Sequence, residues 1–286
     1  MTYTVYRDTV RPAKYKSKSI AAALIVAVAA LFMVGMHAAT VAAVSAHMFE
    51  FTQTELDDNW DADRRAPSGG YGSVSALNRD NVVQLNIDSD ETDSSQFHRT
   101  EGIKTSGNFG QAVQADLYLD AAWDEMPVRA GLWANGMDER GAADGPWGII
   151  EFTTAGADDF TGWRIWTSGA GWTNMTDVSH AYGEWATLKI ALDAAEQEYN
   201  YYINGAHVHT GDASSMDEGN VTHFHDVVLN SYNYGLEGGS DYSAHWHGGL
   251  ANPQDRQECM VGGWTDYGFS NQGLCIQYVN TGRDSR

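Results

Sequence analysis

The chain has 286 residues, enough for one large domain or two small ones, and 43% of them are hydrophobic, so a full core is within reach. Its formal net charge is −21 with only 17 lysines and arginines; that argues against nucleic acid, whose phosphates need a basic footprint, and against an anionic polymer unless a local basic patch exists. Thirty glycines, five prolines and 12% aromatic residues favour aromatic strands joined by tight turns, an all-β sandwich rather than a helical fold. Acidity of this size serves solubility and fits a salty habitat or surface-bound cations.

Residues 1–46 read as an export signal. Arg7, Arg11, Lys14, Lys16 and Lys18 form a positive leader, an apolar run follows from Ile20 to about Met36, and Val44-Ser45-Ala46 fits the small-x-small cleavage rule. Cleavage is expected after about Ala46. The alternative is an uncleaved N-terminal anchor, because the run is near the lower limit for a membrane span. Either reading leaves the rest outside the cytoplasm, with the membrane touched only through this segment.

Residues 47–75 are polar, and Asn59 to Pro67 reads as an entry segment that packs a Trp against the sandwich edge. Val83 to Ile87 alternates as a strand. In the next strand Phe97, Arg99, Glu101 and Ile103 share one face, with His98 and Thr100 on the other. Gln111 to Trp123 is the cleanest half-buried strand, apolar at Val113, Ala115, Leu117 and Leu119. Val128 to Glu151 reads as two strands and a long loop, the first placing Arg129, Trp133 and Asn135 opposite Ala130 and Leu132. If the two strands pair, the face bearing Arg129 or Trp133 also carries Glu151, a sugar-type surface of arginine, tryptophan and carboxylate.

Further strands are predicted at Gly162–Trp166, Trp185–Leu192, Val221–Tyr234 and Asp241–Leu250. Glu198 to His209 is a hairpin with Asn204-Gly205 at its turn. That makes about ten to twelve strands at sandwich or barrel spacing. The one helical segment expected after the signal is a short turn near 212–218.

The strand order, the Leu132-Trp-Ala-Asn-Gly136 and Trp147-Gly-Ile-Ile-Glu-Phe152 pair, the Trp-rich strand after it, and Glu198 to Gly211 followed by a last aromatic strand resemble the concanavalin A-like lectin/glucanase jelly rolls, with the laminin-G-like and secreted β-glucanase groups among them. The resemblance covers roughly 80–250. It implies an all-β fold of two antiparallel sheets over 47–250, with sugar on one sheet face or its rim. The partner it implies is a polysaccharide or cell-surface glycan, and such jelly rolls often carry a structural calcium at the outer edge.

Residues 251–286 form a separate small unit. Its Cys259-x3-Gly-Trp264 and Asn271-Gln-Gly-x-Cys275 pattern is similar to a short C-terminal module of uncharacterised secreted bacterial proteins. The chain has two cysteines, Cys259 and Cys275, and in an exported protein a disulfide is the natural reading. Such a loop constrains the unfolded chain by about 3 kcal/mol. A zinc site built from two cysteines alone lacks ligands.

The chemistry concentrates on a few residues. Glu151 stands where the resemblance places two or three acids in E-x-D-x-x-E, but Thr153 holds the next same-face position, so one carboxylate survives. A retaining hydrolase needs a second, and Asp116 or Glu101 on another strand is the candidate. The other reading is a binding or structural pair with Arg129 or Arg164.

Arg99-Thr-Glu101-Gly resembles the R-x-E-x-R strand of jelly-roll alginate lyases, with Ile103 in place of the second arginine and Lys104 on the opposite face. That implies Arg99, one His and one Tyr as players in a lyase, against a plain Arg99–Glu101 ion pair. Three His-x-His pairs, His207/His209, His223/His225 and His245/His247, either hold a metal or line a polar groove with Trp246; no carboxylate nearby completes a metal set. Asp88-Ser-Asp90-Glu91 and Asp57-Asp58 offer oxygen ligands without EF-hand spacing.

Trp133, Trp166, Trp172 and Tyr118 are the sugar-stacking candidates, with Arg129, Asn135, Arg164, His207 and His245 as polar partners. About half of the ten tryptophans are expected in the core. Asn174 and Asn220 sit in glycosylation sequons. The expected function is polysaccharide binding by a secreted or surface-displayed jelly roll, the alternatives being a polysaccharide hydrolase or lyase, or a self-associating structural protein.

Overall fold

The computed structural model describes residues 46–89, 99–143, 145–154, 160–214, 219–235, 239–248, 256–257, 259–260, 264 and 269–281. The export segment before Ala46, Phe97, His98, Asp90, Glu91 and positions 215–218 of the helical turn expected near 212–218 lie outside them, while Asp212 ends a strand. Among the described residues no helix is long and apolar enough to cross a membrane.

Among the described residues fifteen strands follow in chain order: β1 (His47–Met48), β2 (Asp61–Ala62), β3 (Tyr71–Ala76), β4 (Arg79–Ile87), β5 (Thr100–Ser106), β6 (Ala112–Leu119), β7 (Arg129–Asp138), β8 (Trp147–Thr153), β9 (Gly162–Thr167), β10 (Gly171–Asn174), β11 (Glu184–Asp193), β12 (Glu198–Ile203), β13 (Ala206–Asp212), β14 (Val221–Tyr232) and β15 (Tyr242–His247). They form two sheets. The first runs β13-β12-β11-β6-β15-β4-β3, with β1 added parallel beside β6; the second runs β10-β9-β8-β7-β14-β5-β2. All pairings except that of β1 are antiparallel, giving the expected two-sheet jelly-roll sandwich.

Period-two alternation decides which side chains fill the space between the sheets. Val113, Ala115, Leu117, Leu188, Ile190 and Trp246 come from one layer, and Ala130, Leu132, Ile150, Phe152, Ile165 and Leu229 from the other. Trp60, Trp123, Trp133, Trp163 and Trp246, five of the ten tryptophans, are buried. Trp60 lies in the polar entry segment and packs on Phe49 and Phe51 at 5.2 and 5.4 Å between ring centroids. The β12–β13 turn carries positive φ at both Asn204 (50°) and Gly205 (76°), the conformation that makes Asn-Gly favoured there.

The helices differ from expectation. Gln53–Asn59 forms α1, whose N-cap Thr52 accepts a hydrogen bond from the Glu55 N–H at 3.1 Å. Ala121–Glu125 forms one 3-10 turn, capped by Asp120. Gln272–Thr281 forms α2 in the tail. Cys275 on α2 is bonded to Cys259, with Cα atoms 5.7 Å apart, and the pair packs with Phe269 beside Trp264, Leu274, Ile276, Tyr278 and Val279. The staple and one short helix thus close a small core of their own.

Candidate functional site

The outward face of the β10-to-β2 sheet is laid out in rows by the strand register. One row runs Asn174, Arg164, Glu151, Gly131, Asn230, Gly102 across β10, β9, β8, β7, β14 and β5. The next runs Trp172, Trp166, Ile149, Trp133, Val228, Lys104. An ionic row therefore lies beside an aromatic one. Of the sequence candidates, Arg129, Trp133, Asn135, Glu151, Arg164 and Trp166 all fall on this face.

Glu151 is 2% exposed although it points away from the core. Arg164 donates to its Oε1 at 3.0 Å, and the Arg129 Nε lies 3.8 Å from the same oxygen. Each arginine is backed by a ring. The Arg164 guanidinium sits 3.9 Å from the Trp172 ring centre, and that of Arg129 sits 4.8 Å from Tyr232 and 5.8 Å from Tyr234. Stacking holds a guanidinium flat and presents its edge to the carboxylate.

The eight same-face positions around Glu151 are Ile149 and Thr153 along β8, Gly131 and Arg164 across, and Arg129, Trp133, Gly162 and Trp166 on the diagonals; none is an acid. The glycines let the sheet close under this network. A Cβ at Gly131 would meet the Ile150 carbonyl at 2.8 Å and Asn230 Oδ1 at 2.9 Å.

Trp133 is 9% exposed and packs with Ile149 and Val228, flanked by Trp147 and Trp166. The Arg64 guanidinium from the segment after β2 lies 4.6 Å over its ring. Burial pushes Arg64 below its ordinary range, opposed by the Asp63 carboxylate 4.0 Å away. Trp172, 38% exposed, packs on Trp166 at 5.6 Å. Three buried polar atoms here, Trp133 Nε1, Asn135 Oδ1 and Asn230 Oδ1, find no hydrogen-bond partner among the described residues. Arg64, Asn230 and Tyr232 were not singled out in the sequence. The alternation Val228-Leu-Asn230-Ser-Tyr232 carried the signal for two of them.

The other candidates lie elsewhere. Glu101 alternates with Gly102 and shares the core side of β5 with Ile103, so it does not approach Glu151 as a second carboxylate. It is fully buried, accepting from Ser68 N and Oγ at 2.8 Å and from Asn233 Nδ2 at 2.9 Å, with Arg65 3.9 Å away. Arg99 precedes β5, and its carbonyl accepts from the Asn233 N–H at 2.8 Å. Asp116, Tyr118 and His245 are on the other sheet, facing outward. His207 is on the edge strand β13, within 3.0 Å of Thr210 Oγ1.

The His-x-His strands are not neighbours. β12, β11 and β6 separate β13 from β15, and β14 belongs to the other sheet. A bulge in β13 sets His207 opposite Tyr202 but His209 opposite core-facing Tyr201, so period two fails and that pair is split between the two faces. Irregular pairing also interrupts β14 between Val221 and Asp226. Only β15 keeps its pair, His245 and His247, on one face in unbroken register. Among the described residues no three His, Cys, Asp or Glu side chains gather as a metal site.

No protein-family model matches the chain, and no curated protein matches it. Solved structures do. A GlcNAcα1-4Gal-releasing endo-β-galactosidase from Clostridium perfringens is 12% identical at a TM-score of 0.46, over 71% of this chain and 62% of that one. The marine PL-14 alginate lyase from Aplysia kurodai is 8% identical at 0.45, over 71% and 95%. The β-glucanase of Bacillus licheniformis is 12% identical at 0.41, over 66% and 89%. The chain spans 18% of the length of a sialidase that it also resembles, at 13% identity and a TM-score of 0.44 over 71% of its own residues. At these identities and TM-scores the likeness assigns this chain neither a family nor a role.

Proposed function

We propose that the protein is a secreted or surface-displayed jelly roll that binds a polysaccharide on the outward face of the β10-to-β2 sheet without cleaving it. The observation that carries this reading is the setting of Glu151: two arginine partners, and no acid at any of the eight positions around it. Glycoside hydrolysis uses two carboxyls, about 5 Å apart for retention and about 6.5–9.5 Å for inversion. Among the described positions around it Glu151 is the single carboxylate, and tied to Arg164 and Arg129 it does neither job. A lyase needs a base beside its arginines, and the described positions in these two rows include no histidine. Burial holds the nearby Tyr234 phenol far above its ordinary range, which makes it a poor base at neutral pH.

Support for binding comes from the adjacent rows. Trp172 and Trp166 offer ring faces to the C–H faces of a sugar, and Trp133 Nε1, Asn135 Oδ1 and Asn230 Oδ1 are polar atoms still to be matched. The Cys259–Cys275 disulfide agrees with an oxidising, extracellular compartment.

The test is a glycan array, together with reducing-end and unsaturated-end assays, on wild type, Trp172→Ala and Glu151→Gln. The expected result is binding to at least one polysaccharide, weakened about tenfold in Trp172→Ala (about 1.4 kcal/mol), with no new chain ends. Ends released by wild type and lost in Glu151→Gln would replace the proposal with a degrading enzyme. Neither binding nor cleavage would leave a structural surface protein.

A further inference from the structure

We propose that the opposite side of the sandwich, the outward face of the β13-to-β3 sheet, carries a second saccharide site: a platform of Tyr118 and Trp185 rimmed by His245, His247 and the Arg79–Asp116 pair, which takes an uncharged sugar chain. Two of the sequence candidates, Tyr118 and His245, fall here rather than near Glu151, and the register makes them direct neighbours. Trp185 on β11, Tyr118 on β6, His245 on β15 and Gln84 on β4 form one row across four strands. Thr187, Asp116 and His247 form the row beside it.

The platform is held in place by its own contacts. The Tyr118 and Trp185 ring centres are 5.4 Å apart, and both rings are only partly covered. The Arg79 guanidinium stacks 4.3 Å from the Trp185 ring centre and donates to Asp116 Oδ2 at 2.6 Å. Thr187 Oγ1 donates to the other Asp116 oxygen at 2.7 Å. His247 Nδ1 lies 3.3 Å from Arg79 Nη1, and its ring meets Trp185 edge-on at 6.0 Å. Asp116 itself is 3% exposed, so this ionic pair is a fixture beneath the rings and not a solvated surface contact.

The chemistry of the face selects its ligand. Arg79 and Asp116 cancel each other. Burial pushes His245 and His247 below their ordinary value, so both imidazoles are uncharged at neutral pH. This leaves a patch of ring faces and hydrogen-bonding groups whose central charges are paired, with Asp120 acting on His245 from one side and Lys189 lying over Tyr202 on the other. Gln84 and Ser243 extend the polar side, each hydrogen-bonded to Asn86. The His245 Nδ1 atom is buried with no hydrogen-bond partner among the described residues. Arg79 and Asp116, already paired with each other at 2.6 Å, offer little to an anion or a cation. A pyranose gains C–H contacts with the rings and hydroxyl contacts with the rim.

The site stands apart from the Glu151 face, so the two readings fail separately. The experiment uses the mature chain and four uncharged polysaccharides as probes: β-1,3-glucan, mixed-linkage β-glucan, xylan and galactomannan. Retardation in affinity gels is measured for wild type, Trp172→Ala, Tyr118→Ala, Trp185→Ala and the Trp172→Ala/Tyr118→Ala double variant. In parallel, hydrogen-exchange protection of 112–119, 184–193 and 242–247 is followed on the wild type with saturating probe. The expected result is a loss of roughly tenfold in affinity for a probe on Tyr118→Ala or Trp185→Ala, ligand-dependent protection of those segments, and a greater loss in the double variant. Wild-type affinity in both single variants, or a saturated wild type without protection there, overturns the second site and leaves the Glu151-face proposal standing. Protection confined to these segments, with Trp172→Ala binding as wild type, supports the second site and removes the first. No probe bound by wild type overturns this proposal.

Discussion

Glu151 and Arg164 face each other across β8 and β9, joined at 3.0 Å, and both are more than nine-tenths buried on a sheet face that points away from the core. Arg129 completes the arrangement at 3.8 Å. Both guanidiniums thus face the same carboxylate. Removing one member of a buried ion pair leaves the rest desolvated and uncompensated, at a cost of about 3–5 kcal/mol. Glu151→Gln keeps the shape but removes the charge that both arginines face, so chemical denaturation should show a loss of about 3 kcal/mol. Arg129→Gln, which leaves the Arg164 bond intact, should lose less. Equal stabilities for wild type and Glu151→Gln would mean that the network is solvated, and the picture of a closed ionic row would go with it.

Gly131 tests the same row from beneath. Its absent Cβ would come within 2.8 Å of the Ile150 carbonyl and 2.9 Å of Asn230 Oδ1. The first contact is backbone and cannot swing aside. Overpacking of this kind typically costs about 1–3 kcal/mol. Gly131→Ala should therefore lower the denaturation midpoint by that order and disturb Asn230, whose amide can be followed by NMR. Gly110→Ala is a useful contrast, because nothing lies within 4 Å of its added Cβ and the cost should come from its φ of 69° alone.

How far the chain could be read beforehand follows from which features are local. Alternation is local, so β6, β7, β8 and the Asn204-Gly205 hairpin were legible, as was the sharing of one face by Arg129, Trp133 and Glu151. Register between distant strands is not local. Nothing in the sequence says that β6 pairs with β15 or β14 with β5, and so Tyr118 and His245 were grouped with a surface on the other sheet. The bulge that separates His207 from His209 depends on how β13 pairs with β12, and no count of residues reveals it. α1 was legible and overlooked: Thr52 with Glu55 three positions later is a capping signature.

The C-terminal unit makes a separable prediction. Among the described residues its core is the Cys259–Cys275 bond, Phe269 and the flanking apolar residues, a cluster of the size that needs a staple. Cross-linking across a loop of this size is worth about 3 kcal/mol. Reduction, or the Cys259→Ser/Cys275→Ser variant, should unfold α2 while leaving the sandwich transition unchanged. Exchange protection of 269–281 before and after reductant checks this. Protection that survives reduction would show that the unit is held by something other than its staple.

The pH dependence of stability carries a sign that the burial pattern fixes. His47, His209, His245 and His247 are all pushed below the ordinary value of 6.5, in each case chiefly by burial. Below about pH 6.5 the unfolded chain takes up protons that the folded chain resists, so stability is full above that point and declines as pH falls through it. Two carboxyls act lower down. Backbone N–H donors from Ala142 and Arg140, with the Arg140 guanidinium, hold Asp138 below its ordinary 3.8, and Ser89 does the same for Asp241. Their contribution is present above pH 3.8 and disappears as pH drops past their folded values. Urea midpoints from pH 8 to pH 3 should therefore fall in two stages. In His247→Gln the upper stage should become shallower, because one proton-refusing group is gone, while the lower stage stays as in wild type. A midpoint constant from pH 7.5 to pH 5 would mean that the histidines titrate as freely in the fold as in the open chain, and the ring-packed His247 beside Arg79 would then have to be solvated after all.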